Sequence, residues 1–302
     1  MIKLVILGAA AGGGLPQWNC GCANCRAAFA DPNVPGATQA SIAFSADGEH
    51  WFLVNASPDI REQIRQSPVL HPKAGQLRHS PICGVILTNG EVDAVAGLLS
   101  LREGSPFTIY AHDRVLDVLQ NNSIFNVLNP LKVTRQAIAP ELGFEPVLPD
   151  GRSAGLRIEP FVTPGKAALY LEGSADHAEG DTLGLRIIDL SDGKVLVFLA
   201  ACASVTPEVA ERLAGADLVF FDGTVWTDTE LIDQGLSQKT GQRMGHIAMD
   251  AAIPALAELG IGRKIFLHIN NSNPAWQSNS AERAAAQAAG WLIPADGLEL
   301  TL

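Results

Sequence analysis

Three cysteines, Cys20, Cys22 and Cys25, fall within six positions, with Gly21 between the first two. Thiolates suit zinc, which is borderline-soft and closes tetrahedral sites with sulfur or nitrogen donors. The Cys-x-Cys-x-x-Cys spacing lets three sulfurs converge on one ion. The segment therefore reads as a structural zinc site whose fourth ligand comes from elsewhere in the chain. A coincidental cluster of reduced thiols or a redox pair is the weaker reading, because adjacent thiols without metal oxidise readily. Acids and imidazoles supply a second set. Glu91 and Asp93 follow the apolar run Gly84–Leu87, Asp222 closes the run Leu218–Asp222, His246 precedes a helical pattern, and His268 ends the run Lys264–His268 and leads into Asn271 and Asn273. Each has a bland alternative: loop acids are usually solvated or favour a helix dipole, and a lone strand-end histidine is usually structural. Their recurrence after buried strands points to one crowded sheet edge, where ligands bind in α/β folds.

The elements that would carry these groups alternate along the chain. Short apolar runs at Ile2–Leu7, Trp51–Asn55, Gly84–Leu87, Phe107–Ala111, Leu183–Ile188, Lys194–Leu199, Leu218–Asp222 and Lys264–His268 read as strands. Helical patterns cover Asp59–Gln66, Val95–Arg102, Arg114–Gln120, Pro207–Leu213, Ala251–Leu259 and Ala281–Ala289, the last with Asn279 and Glu282 as a capping pair and Gly290 as a stop. The stretch from Ala139 to Gly193 is rich in Pro, Gly and strand signals and reads as β-rich. Such alternation predicts a layered α/β fold in a single domain over residues 1–302.

Composition narrows the function classes. The chain of 302 residues is 47% hydrophobic with a formal net charge of −11 and no cluster of Lys or Arg, which argues against nucleic acid or an anionic membrane as partner. No apolar stretch approaches the roughly 18–20 residues of a membrane span. The first apolar run stops at Gly8-Ala-Ala-Ala-Gly12-Gly-Gly14, which fits a buried strand and tight turn better than an export signal, so a cytoplasmic location is expected. That glycine run lacks G-x-G-x-x-G, which argues against a dinucleotide site. Cys83 and Cys202 lie in or beside apolar runs and read as buried core thiols, and five cysteines in all do not suggest a disulfide framework. His50, His71, His79, His112 and His177 show no partner pattern and read as surface or structural residues.

Taken in order, these segments resemble the B proteins of pyrroloquinoline quinone (PQQ) biosynthesis, a family of the metallo-β-lactamase superfamily. The resemblance runs end to end through Gly12-Gly-Gly14 with Pro16-Gln-Trp-Asn-Cys20, Asn55-Ala-Ser-Pro-Asp-Ile-Arg61, Arg78-His-Ser-Pro81, Leu87-Thr-Asn-Gly90, Gly97-Leu-Leu with Leu101-Arg-Glu-Gly104, Pro164-Gly-Lys166, Phe221-Asp-Gly-Thr224, Met244-Gly-His246 and His268-Ile-Asn-Asn271. It implies a four-layer αββα sandwich with the active centre on one sheet edge. Hydrolases of the superfamily carry His-x-His-x-Asp-His on the loop that here reads Asn89-Gly-Glu91-Val-Asp93-Ala94, so the three histidines are absent and Ala94 stands where many family members have a metal-binding His. By resemblance, Glu91, Asp93, Asp222 and His268 remain as an oxygen-rich set for an active-site metal, better suited to Fe2+ or manganese than to zinc hydrolysis. His246 matches the superfamily's substrate-side general acid, and Asp93, Asp222, His246 and His268 are the expected catalytic residues.

In related phosphodiesterases a His stands three residues after the last active-site His and completes a zinc site. Here that place is Asn271, the candidate fourth ligand with Cys20, Cys22 and Cys25. The activity the resemblance implies is iron- and O2-dependent hydroxylation of the tyrosine ring in a cross-linked Glu–Tyr precursor of PQQ. Two alternatives stand beside it: a non-catalytic carrier that hands PQQ or its precursor on for transport to the periplasm, and a metal-dependent hydrolase. The partner in the first two is a small molecule. A homodimer is left open.

Overall fold

A computed structural model describes residues 1–166, 168 and 180–302. Thirteen strands are found among these residues: β1 (Lys3–Gly8), β2 (Ser41–Ser45), β3 (Trp51–Val54), β4 (Ile82–Ile86), β5 (Phe107–Ala111), β6 (Val133–Ala137), β7 (Leu156–Val162), β8 (Leu183–Asp189), β9 (Val195–Leu199), β10 (Leu218–Asp222), β11 (Arg263–Leu267), β12 (Trp291–Leu292) and β13 (Glu299–Thr301). They form a seven-stranded sheet in the order β13-β1-β2-β3-β4-β5-β6 and a six-stranded sheet in the order β12-β11-β10-β9-β8-β7.

Side chains on a strand alternate between its faces, so a strand buried on both sides reads as an unbroken apolar run. In β1, Leu4 and Ile6 enter a central core between the sheets, while Val5 and Leu7 enter an outer one. In β10, Leu218 and Phe220 join the central core, while Val219 and Phe221 pack outward beneath helices. The central core thus glues sheet to sheet, and each outer core glues a sheet to its helices. Helices α1 (Ala23–Ala30), α2 (Ile60–Gln66), α3 (Val92–Val95), α4 (Asp113–Asn121), α5 (Pro207–Leu213), α6 (Glu230–Asp233), α7 (Met249–Ala255) and α8 (Ala281–Ala288) accompany the sheets. Val115 and Leu119 of α4 enter one outer core, and Val209 and Leu213 of α5 enter the other. These are the four layers of the expected αββα sandwich. Among the described residues, no helix is long and apolar enough to cross a membrane.

Local departures from the sequence reading have physical causes. The helix expected over Val95–Arg102 is instead α3 followed by a 3₁₀ segment, Ala96–Leu101. Gly97 sits so close to the chain at Ala56 and Ser57 that a Cβ there would overlap the Ser57 carbonyl oxygen, and its N–H donates to the Ala56 carbonyl at 2.8 Å. The chain is committed to that contact and does not continue as a regular helix. Helix α8 is capped by Ser280, whose hydroxyl accepts from the Arg283 N–H at 3.0 Å, and not by Asn279. The β-rich stretch is represented by β7 and β8. His177 lies outside the described residues. Cys83 and Cys202 are buried, and burial pushes their thiols up to about 11 and about 12. Both are inert core thiols, as expected.

Candidate active site

Three strand ends converge on one rim. Asp222 is the last residue of β10, and His268 follows β11, its parallel neighbour. Asp93 lies in α3, directly after β4 of the other sheet. The loop bearing Asp93 is pinned from beneath by the Asn55 motif. Asn55 takes a left-handed conformation (φ 62°), accepts from the Thr88 N–H at 2.9 Å and donates to the Thr88 hydroxyl at 3.0 Å. The next residue, Ala56, donates its N–H to the Ala94 carbonyl at 2.7 Å. Ala94 itself is buried in the outer apolar core and adds no donor to the rim. His268 is also left-handed (φ 57°), a conformation that costs a non-glycine residue about 1 kcal/mol and here turns the imidazole off the strand axis.

Asp222 is fully buried, and donors occupy both its oxygens. Oδ1 accepts from the Thr224 N–H at 3.0 Å and the Thr224 hydroxyl at 2.7 Å. Oδ2 accepts from the Cys202 N–H at 2.9 Å and from His246 Nδ1 at 2.7 Å. The two imidazoles stack with centroids 5.1 Å apart, and ligand atoms of Asp222, His246 and His268 lie within 4.8 Å of one another. On the far side, His268 Nε2 is 3.0 Å from Asp93 Oδ2. Burial opposes the charge on both partners, but their attraction outweighs it. Asp93 is held below the usual carboxylate range, and His268 is raised above the usual imidazole range by Asp93, with Asp222 and Glu91 adding to it. Glu91 itself faces Lys166 at 3.5 Å.

These groups open into a cavity of about 900 Å³, whose wall also includes Lys166, Lys239, Gly12 and Gly13. Its floor is acidic and imidazole-bearing, and lysines stand in its wall. Gly12 lies beside Asp93, where a Cβ would come to 3.4 Å from the carboxylate, an ordinary contact. Sequence reasoning did not single out Lys166 or Lys239 as site residues, because a lysine carries no spacing signal. Thr224 carries no signal of a role either, because a strand-end Thr is ordinary.

The three cysteines gather behind this rim. Asn271 Nδ2 donates toward the sulfurs of Cys20, Cys25 and Cys22 at 3.1, 3.3 and 3.5 Å. Backbone N–H groups of Gln17, Cys22 and Cys25 also point at sulfur, at 3.3, 3.4 and 3.5 Å. Burial pushes the Cys25 thiol up to about 11. Cys22 is held below the ordinary thiol value, its burial outweighed by hydrogen bonds from Cys25, Cys20 and Asn271. A pocket of three converging sulfurs fed by N–H donors fits a soft cation. A half-turn of the Asn271 carboxamide would put its oxygen where its nitrogen now stands. Asn24 ties this corner to the site segment, donating to the Asn271 and Asn273 carbonyls at 2.8 and 2.9 Å.

Comparison with known proteins follows the same lines. The Beta-lactamase superfamily domain profile matches residues 50–269. Coenzyme PQQ synthesis protein B of Rhodopseudomonas palustris (strain ATCC BAA-98 / CGA009) is 64% identical over the full length of both chains, and that of Methylorubrum extorquens (strain PA1) is 50% identical, again over both full lengths. The crystal structure of Zn(2+)-bound PqqB from Methylobacterium extorquens superposes with a TM-score of 0.93 at 50% identity, covering 99% of this chain and all of that one. A diphosphatase of the PhnP family, at 20% identity and a TM-score of 0.70 over 99% of this chain and 96% of its own, shares the fold.

Proposed function

This chain belongs to the coenzyme PQQ synthesis protein B family of the metallo-β-lactamase superfamily, and on that premise we propose that it takes part in PQQ biosynthesis as an iron- and O2-dependent hydroxylase. Its substrate is the tyrosine ring of a small cross-linked Glu–Tyr precursor. The single observation that carries the reading is the donor set. Ligand atoms of Asp222 and His268 come within 4.8 Å of each other, with Asp93 against His268 at 3.0 Å, and none of the three histidines of the superfamily's zinc-hydrolase motif is present on the Asn89–Ala94 loop. Mixed nitrogen and oxygen donors of this kind suit Fe2+.

His268 through Nε2 and Asp93 through Oδ2 would hold the ion, with Glu91 within reach in the same wall. Asp222 would complete the set in exchange for one of its four hydrogen bonds. Bound iron supplies the activation of oxygen. The protein's own groups do the rest. Asp222 holds His246 through Nδ1, leaving Nε2 to take or give a proton beside the ring. Lys166 and Lys239 give the cavity positive charge to orient a substrate that carries carboxylates. One oxygen atom enters the ring, and the other leaves as water with two protons and two electrons from an external reductant.

Behind the rim, Cys20, Cys22 and Cys25, with Asn271 as fourth donor, would hold a structural zinc. It would brace the segment from His268 to Asn273 without taking part in the reaction.

Oxygen uptake by protein reconstituted with Fe(II) and given the Glu–Tyr precursor tests the proposal. Turnover with an added ring oxygen is expected. Tight product binding without turnover would replace it with the carrier reading, and phosphodiester or β-lactam cleavage with zinc would replace it with the hydrolase.

A further inference from the structure

The Thr224 hydroxyl has more neighbours than it has hydrogen-bonding capacity. Within 3.1 Å of Oγ1 lie Asp222 Oδ1 (2.7 Å), His268 Nδ1 (2.9 Å), the His268 carbonyl (3.0 Å) and His246 Nδ1 (3.1 Å). A hydroxyl owns one proton and two lone pairs. The carboxylate and the carbonyl can only accept, so the proton goes to one of them. At 2.7 Å the charged Asp222 oxygen is the stronger claimant. Toward either ring nitrogen, Oγ1 then has only lone pairs to offer. His246 Nδ1 already has a carboxylate acceptor in Asp222 Oδ2 at 2.7 Å. His268 Nδ1 has the hydroxyl, and to bond to it that nitrogen must carry a proton. Thr224 is buried, so water has little room to substitute.

We infer that Thr224 is a positioning residue: its hydroxyl accepts from His268 Nδ1–H and holds that proton in place, so that Nε2, whose proton bonds to Asp93 without metal, is the nitrogen that gives up its proton to a cation. Once the Nε2 proton is displaced, Nε2 and Asp93 Oδ2, 3.0 Å apart, face a shared cation as two acceptors. Metal-binding histidines generally have their second nitrogen held in this way, and losing such a support costs on the order of 10–100-fold in metal affinity. Thr224 touches no reacting atom. It acts through His268, and the inference rests on His268 being the metal ligand proposed above.

The test compares Thr224→Val, which keeps the shape and loses the hydroxyl, with Thr224→Ser, which keeps the hydroxyl. Nitrogen-15 NMR of the protein without active-site metal reads the exchange of the Nδ1 proton with water directly. A hydrogen-bonded, slowly exchanging Nδ1–H is expected in the native protein and the serine variant. In the valine variant Nδ1 loses its acceptor, so its proton should exchange faster or be absent, while Nε2–H stays on Asp93. Anaerobic Fe(II) titration should then show affinity reduced on the order of 10–100-fold in the valine variant, with serine restoring it. Unchanged exchange of the Nδ1 proton in the valine variant, or equal iron loss in both variants, overturns the inference. Thr224→Ala gives the same reading if the valine variant does not fold. The NMR result does not depend on turnover, so failure of the hydroxylase proposal and failure of this one are told apart.

Discussion

His268 Nε2 and Asp93 Oδ2 meet 3.0 Å apart, one following β11 of the six-stranded sheet and the other in α3 behind β4 of the seven-stranded sheet. The contact closes the rim of the sandwich and makes each partner's ionisation depend on the other's.

The pH dependence of the metal-free protein follows from the signs of the two shifts. His268 is raised, so its contribution to stability is full below about pH 6.5, the unfolded imidazole value, and is lost as pH rises through its folded pKa. Asp93 is lowered, so its contribution is present above about pH 3.9 and is lost as pH falls through its folded pKa. Thermal melts of metal-free protein should therefore show stability declining on the alkaline side. Asp93→Asn should flatten that decline. Parallel profiles for the two proteins would show that the pair is not coupled.

Asp222→Asn replaces two acceptor oxygens by one oxygen and one amide donor. At least one of the four donors around Asp222 is left without a partner, at a cost of about 1–3 kcal/mol for each buried group. The variant should melt lower, lose iron loading and keep its cysteine-bound zinc. Metal analysis of purified variant checks this, and unchanged iron content would contradict the role given to Asp222.

Gly97→Ala is expected to be disproportionately harmful for a single methyl. The Cβ would overlap the Ser57 carbonyl, forcing the chain at Ala56 away from the Ala94 carbonyl that positions the Asp93 loop. Overpacking of this kind costs typically about 1–3 kcal/mol. Chemical denaturation should show that loss, together with weaker iron binding. A neutral effect would mean that the Asn55–Ser57 turn does not support the site.

Most of the fold was legible because its strands are buried on both faces. Runs such as Val5–Leu7 and Leu218–Phe221 have no polar face to blur them. Strands such as β6, with Thr134, Arg135, Gln136 and exposed positions, and the three-residue β13 carry no such signal and were not read. The 3₁₀ break at Ala96 depends on a contact some 40 residues away in sequence, which local periodicity does not record. At the site, residue types with a narrow chemistry were readable: Cys20, Cys22, Cys25, Asp93, Asp222, His246 and His268. Thr224, Lys166 and Lys239 matter through where they stand, and only the packing of β10 against β11 and the cavity wall bring that out.

Cys25→Ser should remove zinc and loosen the N-terminal loop. Without metal Cys22 and Cys25 are buried, and Cys25 is pushed up to about 11, so zinc binding must release protons and should strengthen with pH. Loss of zinc is expected to lower Tm and weaken iron retention indirectly, since Asn24 and Asn271 tie the cysteine corner to the segment after His268. Asn271→Ala should weaken zinc less than Cys25→Ser does. Zinc content and melting curves of the two variants check the order, and full zinc retention by Cys25→Ser would refute the site.

Two distinct metal positions are proposed, one held by sulfur and one open to the cavity. Elemental analysis of protein reconstituted anaerobically with Fe(II) and freed of excess metal tests this most directly. The expected result is zinc and iron each at about one per chain, with iron alone falling in Asp222→Asn and zinc falling in Cys25→Ser. Zinc as the sole retained metal, or iron unaffected by Asp222→Asn, would contradict it.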